Sequence, residues 1–311
     1  MLIVRDARGM DYKTIASIYL AAPTETIPVP PVPDSPARRL RDALEPIATQ
    51  GWWSPQAGAR TAGLGLEFLD GYVWGRAASL GDVASSVVTA AFAVFEPTFL
   101  AQTYERGRAV VGRGEVLAQR ELAATESLTS VLGEDRRDEA GATADVLMGA
   151  LGGLDGAGRP LFSGLRQLGT PPDGFGRLWR AAELVREHRG DGHVAACVAA
   201  GLDALSMNVM TELWLGYSPG EYSLTRGFGE DALAGCLAEL TARGWVEGGS
   251  LTRAGVAARL AIEHATDVTQ APLVAALGGA LDRVVSSCAS MSDVLLQART
   301  FPSDPRKRAA G

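Results

Sequence analysis

The sequence predicts an all-α fold of two helical lobes, the C-terminal one interrupted by a single short β-hairpin. Three observations lead there. Apolar residues recur at helical spacing through most of the chain after Ser35. Strand signals are nearly absent; the one good stretch is Gly244-Trp-Val-Glu247, a Gly248-Gly249 turn, then Ser250-Leu-Thr252. The chain has 311 residues, more than one ordinary core serves, so two lobes are expected.

The elements follow in order. Residues 1–36 end in Pro28-Val-Pro-Pro-Val-Pro33, which favours an extended arm or linker and cannot be helix. Ser35-Pro36 is an N-cap and N1 pair for a helix through Ala48. Trp52, Trp53 and Pro55 mark a turn, and helices follow near 57–77, 82–107 and 114–132. Asp82 is the expected N-cap of the second of these, and Pro97 should kink it just after Glu96. These make an N-terminal lobe at 37–151.

Glycines and Pro160, Pro171 and Pro172 punctuate residues 152–176, the expected connection between lobes. The C-terminal lobe, 177–298, holds a helix or helix pair near 175–215, a helix at 230–243, the hairpin, and a last helix at about 270–297. A basic tail at 299–311, with Arg306-Lys307-Arg308, is expected to fray.

Composition narrows the function classes. Hydrophobic residues at 47% and charged residues at 21% are ordinary for a globular chain and exclude wholesale disorder. Of the 29 basic residues only Lys13 and Lys307 are lysine, which together with abundant Ala and Gly reflects a GC-rich genome. A net charge of −7 removes the simple electrostatic argument for nucleic acid. Cys197, Cys236 and Cys288 match no zinc or CxxC spacing and read as small buried hydrophobes in a reducing compartment.

Arg5, Asp6, Arg8, Asp11 and Lys13 interrupt what would be the apolar core of a signal peptide, so a cytoplasmic location is expected. Val83–Leu100 is the longest apolar stretch. Its Ser85, Ser86, Thr89, Glu96 and Pro97 make it a buried helix rather than a membrane span.

Residues 230–267 run helix, hairpin, helix, with Leu237-Ala-Glu-Leu-Thr-Ala-Arg-Gly244 leading in and Leu251-Thr-Arg-Ala-Gly255 leading out. This resembles the C-terminal part of winged-helix domains of the multiple-antibiotic-resistance-regulator type. Reading DNA requires side chains that reach phosphates and base edges, chiefly Arg, Lys, Asn, Gln and Ser. The helix in the recognition position offers Glu230, Asp231 and Glu239, with Arg243 only at its end. Across Tyr217–Asp267 four arginines (226, 243, 253, 259) face seven acids (221, 230, 231, 239, 247, 263, 267), a balance of −3. A structural or dimer-forming winged helix fits this better than a DNA reader.

Two of the three histidines fall in Arg186-Glu-His-Arg-Gly-Asp-Gly-His193, and the seven residues from Val194 to Ala200 are all Val, Ala or Cys. The cluster is therefore expected to open into a buried helix. At about 100° per residue, Arg189 and His193 share one face with Arg186 nearly in line, and His188 and Asp191 share another. Histidines so spaced cannot grip one metal from an unbroken helix, and no metal is expected. Gly190 and Gly192 permit close approach of a ligand or a second helix. The chemistry suits acid-base work or anion binding by His193, Asp191, Arg189 and His188, with Arg186 as a binding residue. An internal salt-bridge network pinning helices is the competing explanation.

A family can be named on these residues. Glu45-Pro46, Gly71-Tyr-Val-Trp-Gly-Arg76, Thr89-Ala-Ala-Phe-Ala-Val-Phe-Glu-Pro97, Arg159-Pro-Leu-Phe162, Leu178-Trp179 and the 186–194 stretch together resemble an actinobacterial "helix-turn-helix" family. Its SalK-like members accompany natural-product gene clusters. The resemblance spans roughly 37–295 and implies fold and context but no reaction. Relatives often have His after the Glu-Pro pair, where this chain has Ile47.

Trp52, Trp53, Tyr72 and Trp74 gather a third of the twelve Trp and Tyr residues into 23 positions. They read first as core or interface. As a pocket lining, Trp53, Tyr72 and Trp74 would bind a ligand and Arg76 would anchor its anionic group. No phosphate loop, nucleophile elbow or kinase signature is present, and no cofactor is implied. The expected partner is a small-molecule ligand or substrate of specialised metabolism, handled by an enzyme or binding protein, with a homodimer as the protein partner and no nucleic acid or membrane. The alternative is a winged-helix regulator with a ligand-sensing helical lobe.

Overall fold

The computed structural model describes residues 12–21, 32–304 and 306. Most of the expected arm, Pro28–Pro31 included, and Lys307 and Arg308 of the tail lie outside the described residues. Within the arm, Tyr12–Tyr19 forms α1, whose Tyr12 hydroxyl donates to the Trp53 carbonyl at 2.6 Å. Arg306 is not frayed: it is buried, paired with Asp304 at 2.9 Å, and lies 4.2 Å over the Tyr217 ring.

The helices α2 (Pro36–Ala48), α3 (Gln50–Trp53), α4 (Pro55–Gly63) and α5 (Phe68–Ala77) come first. Ser35 caps α2 by accepting from the Arg38 N–H, with Pro36 at the first helical position, as the sequence predicts. The helix expected at 57–77 is two, split where Gly65 adopts φ +76°.

The helix expected at 82–107 is likewise α6 (Ser85–Phe92) and α7 (Pro97–Val110), because Pro97 starts a new helix instead of kinking an old one. Asp82 does not cap; it pairs with Arg108 on the surface. The helices α8 (Arg113–Leu132), α9 (Arg137–Gly152) and α10 (Pro160–Arg166) follow. Next come α11 (Gly174–Ala199), α12 (Ala204–Trp214) and α13 (Glu230–Ala242). The hairpin β1 (Val246–Glu247) and β2 (Ser250–Leu251) is antiparallel and pairs Val246 with Leu251. Last come α14 (Arg253–Val268), α15 (Ala271–Leu277) and α16 (Leu281–Gln297).

The largest core joins Leu40, Leu44 and Ile47 of α2, Ala144 and Leu147 of α9, Phe162 of α10, Leu178 and Trp179 of α11, and Cys288 and Met291 of α16. It crosses the stretch expected to be a connection. There α10 buries Leu161, Phe162 and Leu165, too much apolar surface for a linker to leave in water. A second cluster sits among α5, α6 and α7, and a third joins α12, α13, Val246 and Ile262. The run Ala271–Gln297 is long and apolar enough to cross a membrane, yet it is interrupted at Gly278 (φ +49°) and buries Val284, Cys288 and Leu295 beside α2. All three cysteines are free and buried.

Candidate functional site

The axis of the molecule is α11. Its N-cap, Asp173, accepts from the Phe175 and Gly176 N–H groups, and the helix runs unbroken through Gly190 and Gly192. Burial along it inverts the expectation. The charged half through Gly192 is almost wholly buried, while in the apolar half Ala195, Val198 and Ala199 are exposed. Charges tolerate the interior because each meets a partner on a neighbouring helix.

One group of partners lies on α14. Glu263 is 2% exposed and receives Arg189 at 3.0 Å, Arg38 at 3.4 Å and Arg259. Burial opposes its charge, but the surrounding cations outweigh that and hold its carboxyl far below the usual range. His193 touches the Thr266 hydroxyl through Nδ1 at 2.9 Å and the Cys197 thiol through Nε2 at 3.6 Å. Burial, with Arg259 adding to it, pushes the His193 pKa down to about 3. Gly192 admits this helix: a Cβ there would lie 2.3 Å from the Thr269 hydroxyl.

A second group faces α10 and the start of α15. His188 Nδ1 lies 2.9 Å from Gln270 Oε1, its ring edge-on to Phe162, and burial lowers its pKa to about 4. Asp191 accepts the Phe162 N–H at 3.0 Å at the N-terminus of α10. Burial raises its pKa to about 6. The four residues expected to act together therefore split, Arg189 and His193 toward α14, His188 and Asp191 toward α10.

The expected ligand residues divide more informatively. Trp53 stacks on Phe68, and Trp74 donates to the Val111 carbonyl within the second core. Tyr72, Arg76 and Arg186 converge instead. Tyr72 and Arg76 share one face of α5, four residues apart. Arg76 clamps Glu187 of α11 with Nε at 2.8 Å and Nη2 at 2.6 Å. Arg186 bridges Glu45 of α2 and Glu187, each at 3.1 Å. These groups lie deep in the molecule, yet the Arg76 and Arg186 side chains keep 12% and 21% of their surface accessible. Both reach the same carboxylate, Glu187. A void of about 20 Å³, room for about one water, touches Tyr72 and Trp52 from the α3–α4 side.

Against Arg76 packs the link between α6 and α7, whose part here sequence reasoning missed. Ala93 sits at φ +59° and ψ −42°, and the Val94 N–H reaches back to the Phe92 carbonyl at 2.7 Å. Such a turn is strained for a residue with a Cβ, costing about 1–3 kcal/mol. It places Phe92 4.6 Å under the Arg76 guanidinium and Phe95 4.6 Å under that of Arg226. The C-terminal half holds the turn: Asn208 of α12 donates to the Val94 carbonyl at 2.7 Å, and the Glu96 N–H donates to the Arg226 carbonyl at 2.9 Å. Burial raises the Tyr72 pKa, but Arg76, Arg186 and Arg226 together outweigh it and leave the phenol below its ordinary value.

The winged segment adds the other piece. Thr252 caps α14 by accepting the Gly255 N–H, and a Cβ on Gly255 would lie 2.1 Å from the Trp245 carbonyl, so the threonine and glycine that follow the hairpin fix how α14 leaves it. The model of a helix-turn-helix family matches residues 37–302. The chain belongs to that family. No curated protein and no solved structure matches it. In this member, α13 buries Leu233, Cys236 and Leu240 and exposes Glu230, Asp231, Ala234, Ala238, Glu239 and Arg243. Among the described residues no cluster of three His, Cys, Asp or Glu is placed to hold a metal.

Proposed function

We propose that this member of the helix-turn-helix family binds a small molecule in a recess bounded by Tyr72, Arg76, Arg186 and the Phe92–Phe95 turn. One observation supports it above the others: charged side chains in the interior keep accessible surface beneath a strained turn. A purely structural ion-pair cluster gains from closing that space; a binding site keeps it open. The likeness to natural-product-associated proteins makes bacterial specialised metabolism the proposed setting. Tyr72 would serve acid-base chemistry in an enzyme, its phenol lowered by three arginines.

A second reading is a regulator in which the recess senses a ligand and the winged segment responds. The family match favours it, as do the contacts of Asn208 and Arg226 with the turn. The acidic exposed face of α13 disfavours the DNA-reading half of that idea.

A metabolite library screened by thermal shift tests the proposal, with Tyr72→Trp filling the recess. Compounds that raise the wild-type Tm and leave the variant unmoved are expected. Equal stabilisation of both proteins by every hit, or the absence of hits, counts against it.

A further inference from the structure

We infer that a second copy of this chain docks on the outward face of α14, the two helices running antiparallel, so that the protein is a dimer through that seam.

Helical geometry sets the face. At about 100° per residue, Ala254, Ala257, Ala261, His264, Ala265 and Val268 fall within about 100° of one another. All six are exposed, and Val268, at 71%, is the most accessible large hydrophobic among the described residues. The other side of α14 turns Gly255, Arg259, Ile262, Glu263 and Thr266 inward. Thr269 and Gln270 keep right-handed backbone, and the exposed Pro272, Ala275 and Ala276 of α15 carry the chain on without charge.

Charge is missing from this face. Between Arg253 and Asp282 no exposed residue bears a carboxylate, ammonium or guanidinium group; Arg259 and Glu263 are buried, and the Asp267 side chain is 9% accessible. A helix that faces water ordinarily carries charged side chains opposite its buried stripe. Other helices of this chain do so. The exposed charges are Arg113, Glu115 and Glu126 on α8, Glu230, Asp231 and Glu239 on α13, and Asp282, Arg283 and Asp293 on α16. An alanine-rich composition would have stripped all of these helices alike.

The residue types say what covers it. No Leu, Phe or Trp is exposed along α14, so the face offers little to the acyl boundary of a membrane. Short side chains at alternating three- and four-residue steps instead let a second helix approach closely, as in a helix–helix seam. A partner that presented charges here would have them stripped of water with nothing to pair. The facing surface is therefore charge-free too, and this chain carries such a surface. With each copy at a net charge of −7, it is also the face on which two copies repel least. A two-fold axis at Ala261 brings the exposed Arg253 of each copy to the C-terminal turn of the other copy's α14, where a cation is favoured. Between Ala254 and Ala280, twelve exposed and seven half-buried residues are available. That approaches the roughly 20 residues a side of a small specific interface.

Sedimentation velocity of the full chain, from about 1 to about 200 µM, spans the affinities expected of a small interface. A reversible monomer–dimer equilibrium is the expected result. Ala261→Glu should keep the circular-dichroism spectrum and raise the dissociation constant at least about tenfold, because the two-fold sets its two carboxylates against each other. Val87→Glu, equally exposed but on α6, should leave the equilibrium unchanged. Oxidative cross-linking reads the direction, the native cysteines being buried. Ala261→Cys should link two copies, whereas the Ala254→Cys sites, about 21 Å apart along an antiparallel seam, should not. A chain monomeric throughout, a dimer that Ala261→Glu leaves intact, or linking as fast in Ala254→Cys as in Ala261→Cys overturns the proposal. A monomer that floats with phosphatidylcholine–phosphatidylglycerol vesicles, and ceases to do so as Ala261→Glu, assigns the face to a lipid surface and overturns it as well.

Discussion

At the scale of single residues, Glu263 gathers three arginines. It is almost fully buried and receives Arg38 from α2, Arg189 from α11 and Arg259 from its own helix. Glu263→Gln keeps the shape and removes the charge, leaving three buried guanidinium groups to share fewer acceptors. Removing one partner from such a cluster typically costs about 3–5 kcal/mol. Urea unfolding should show a loss of that size; a loss under about 1 kcal/mol would mean that water reaches the cluster and replaces the carboxylate. Glu263 was not legible in the sequence as a hub. In a single sequence it is one of seven acids in an acidic segment, and only packing shows that its charge is turned inward while Glu230, Asp231 and Glu239 stay in water.

At the scale of elements, the winged segment was the most legible part. Thr252 and Gly255 act through local backbone chemistry, a cap and a close approach, and local chemistry is what spacing reports. The α6–α7 link was not legible: a proline after a glutamate announces a helix start, but nothing announces that Ala93 will accept a positive φ. The pairing of Arg76 with Glu187, 111 positions apart, was equally invisible, although each residue stands within a motif of its own. For α13, the exposed face of Glu230, Asp231, Ala234, Ala238 and Glu239 has Arg243 only at its end. Affinity for duplex DNA rests on neutralising phosphates, and each contact adds about one unit of salt slope. This helix should give no salt-sensitive binding in a gel-shift assay. A shift that weakens steeply with added salt would restore the DNA-reading alternative.

At the scale of the whole molecule, titratable groups buried along α11 tie stability to pH, and they pull in opposite directions. Burial works against the Glu187 charge, but its arginines outweigh that and hold its pKa near about 2. Glu187 therefore contributes stability present above 4.5 and lost as pH falls toward 2. Asp191 is raised from 3.8 to about 6, so its share is present at low pH and lost as pH rises through 6. The histidines have the sign of Glu187. His193 falls from 6.5 to about 3 and His188 from 6.5 to about 4, so below 6.5 the unfolded chain binds protons that the folded one refuses. Because these contributions overlap, a raw stability profile cannot separate them, but a difference can. His193→Gln retains a side-chain partner for Thr266 and removes the proton site. As pH falls from 7 to 4, the wild type should lose stability relative to His193→Gln, approaching about 1.4 kcal/mol per pH unit well below 6.5. Above pH 7 the difference should be constant. Parallel profiles across the whole range, measured by urea unfolding at fixed ionic strength, would mean that His193 takes up its proton in the folded state. In that case Glu263, 4.0 Å away, is the carboxylate that receives it, and the α11–α14 contact is an ion pair that includes an imidazolium.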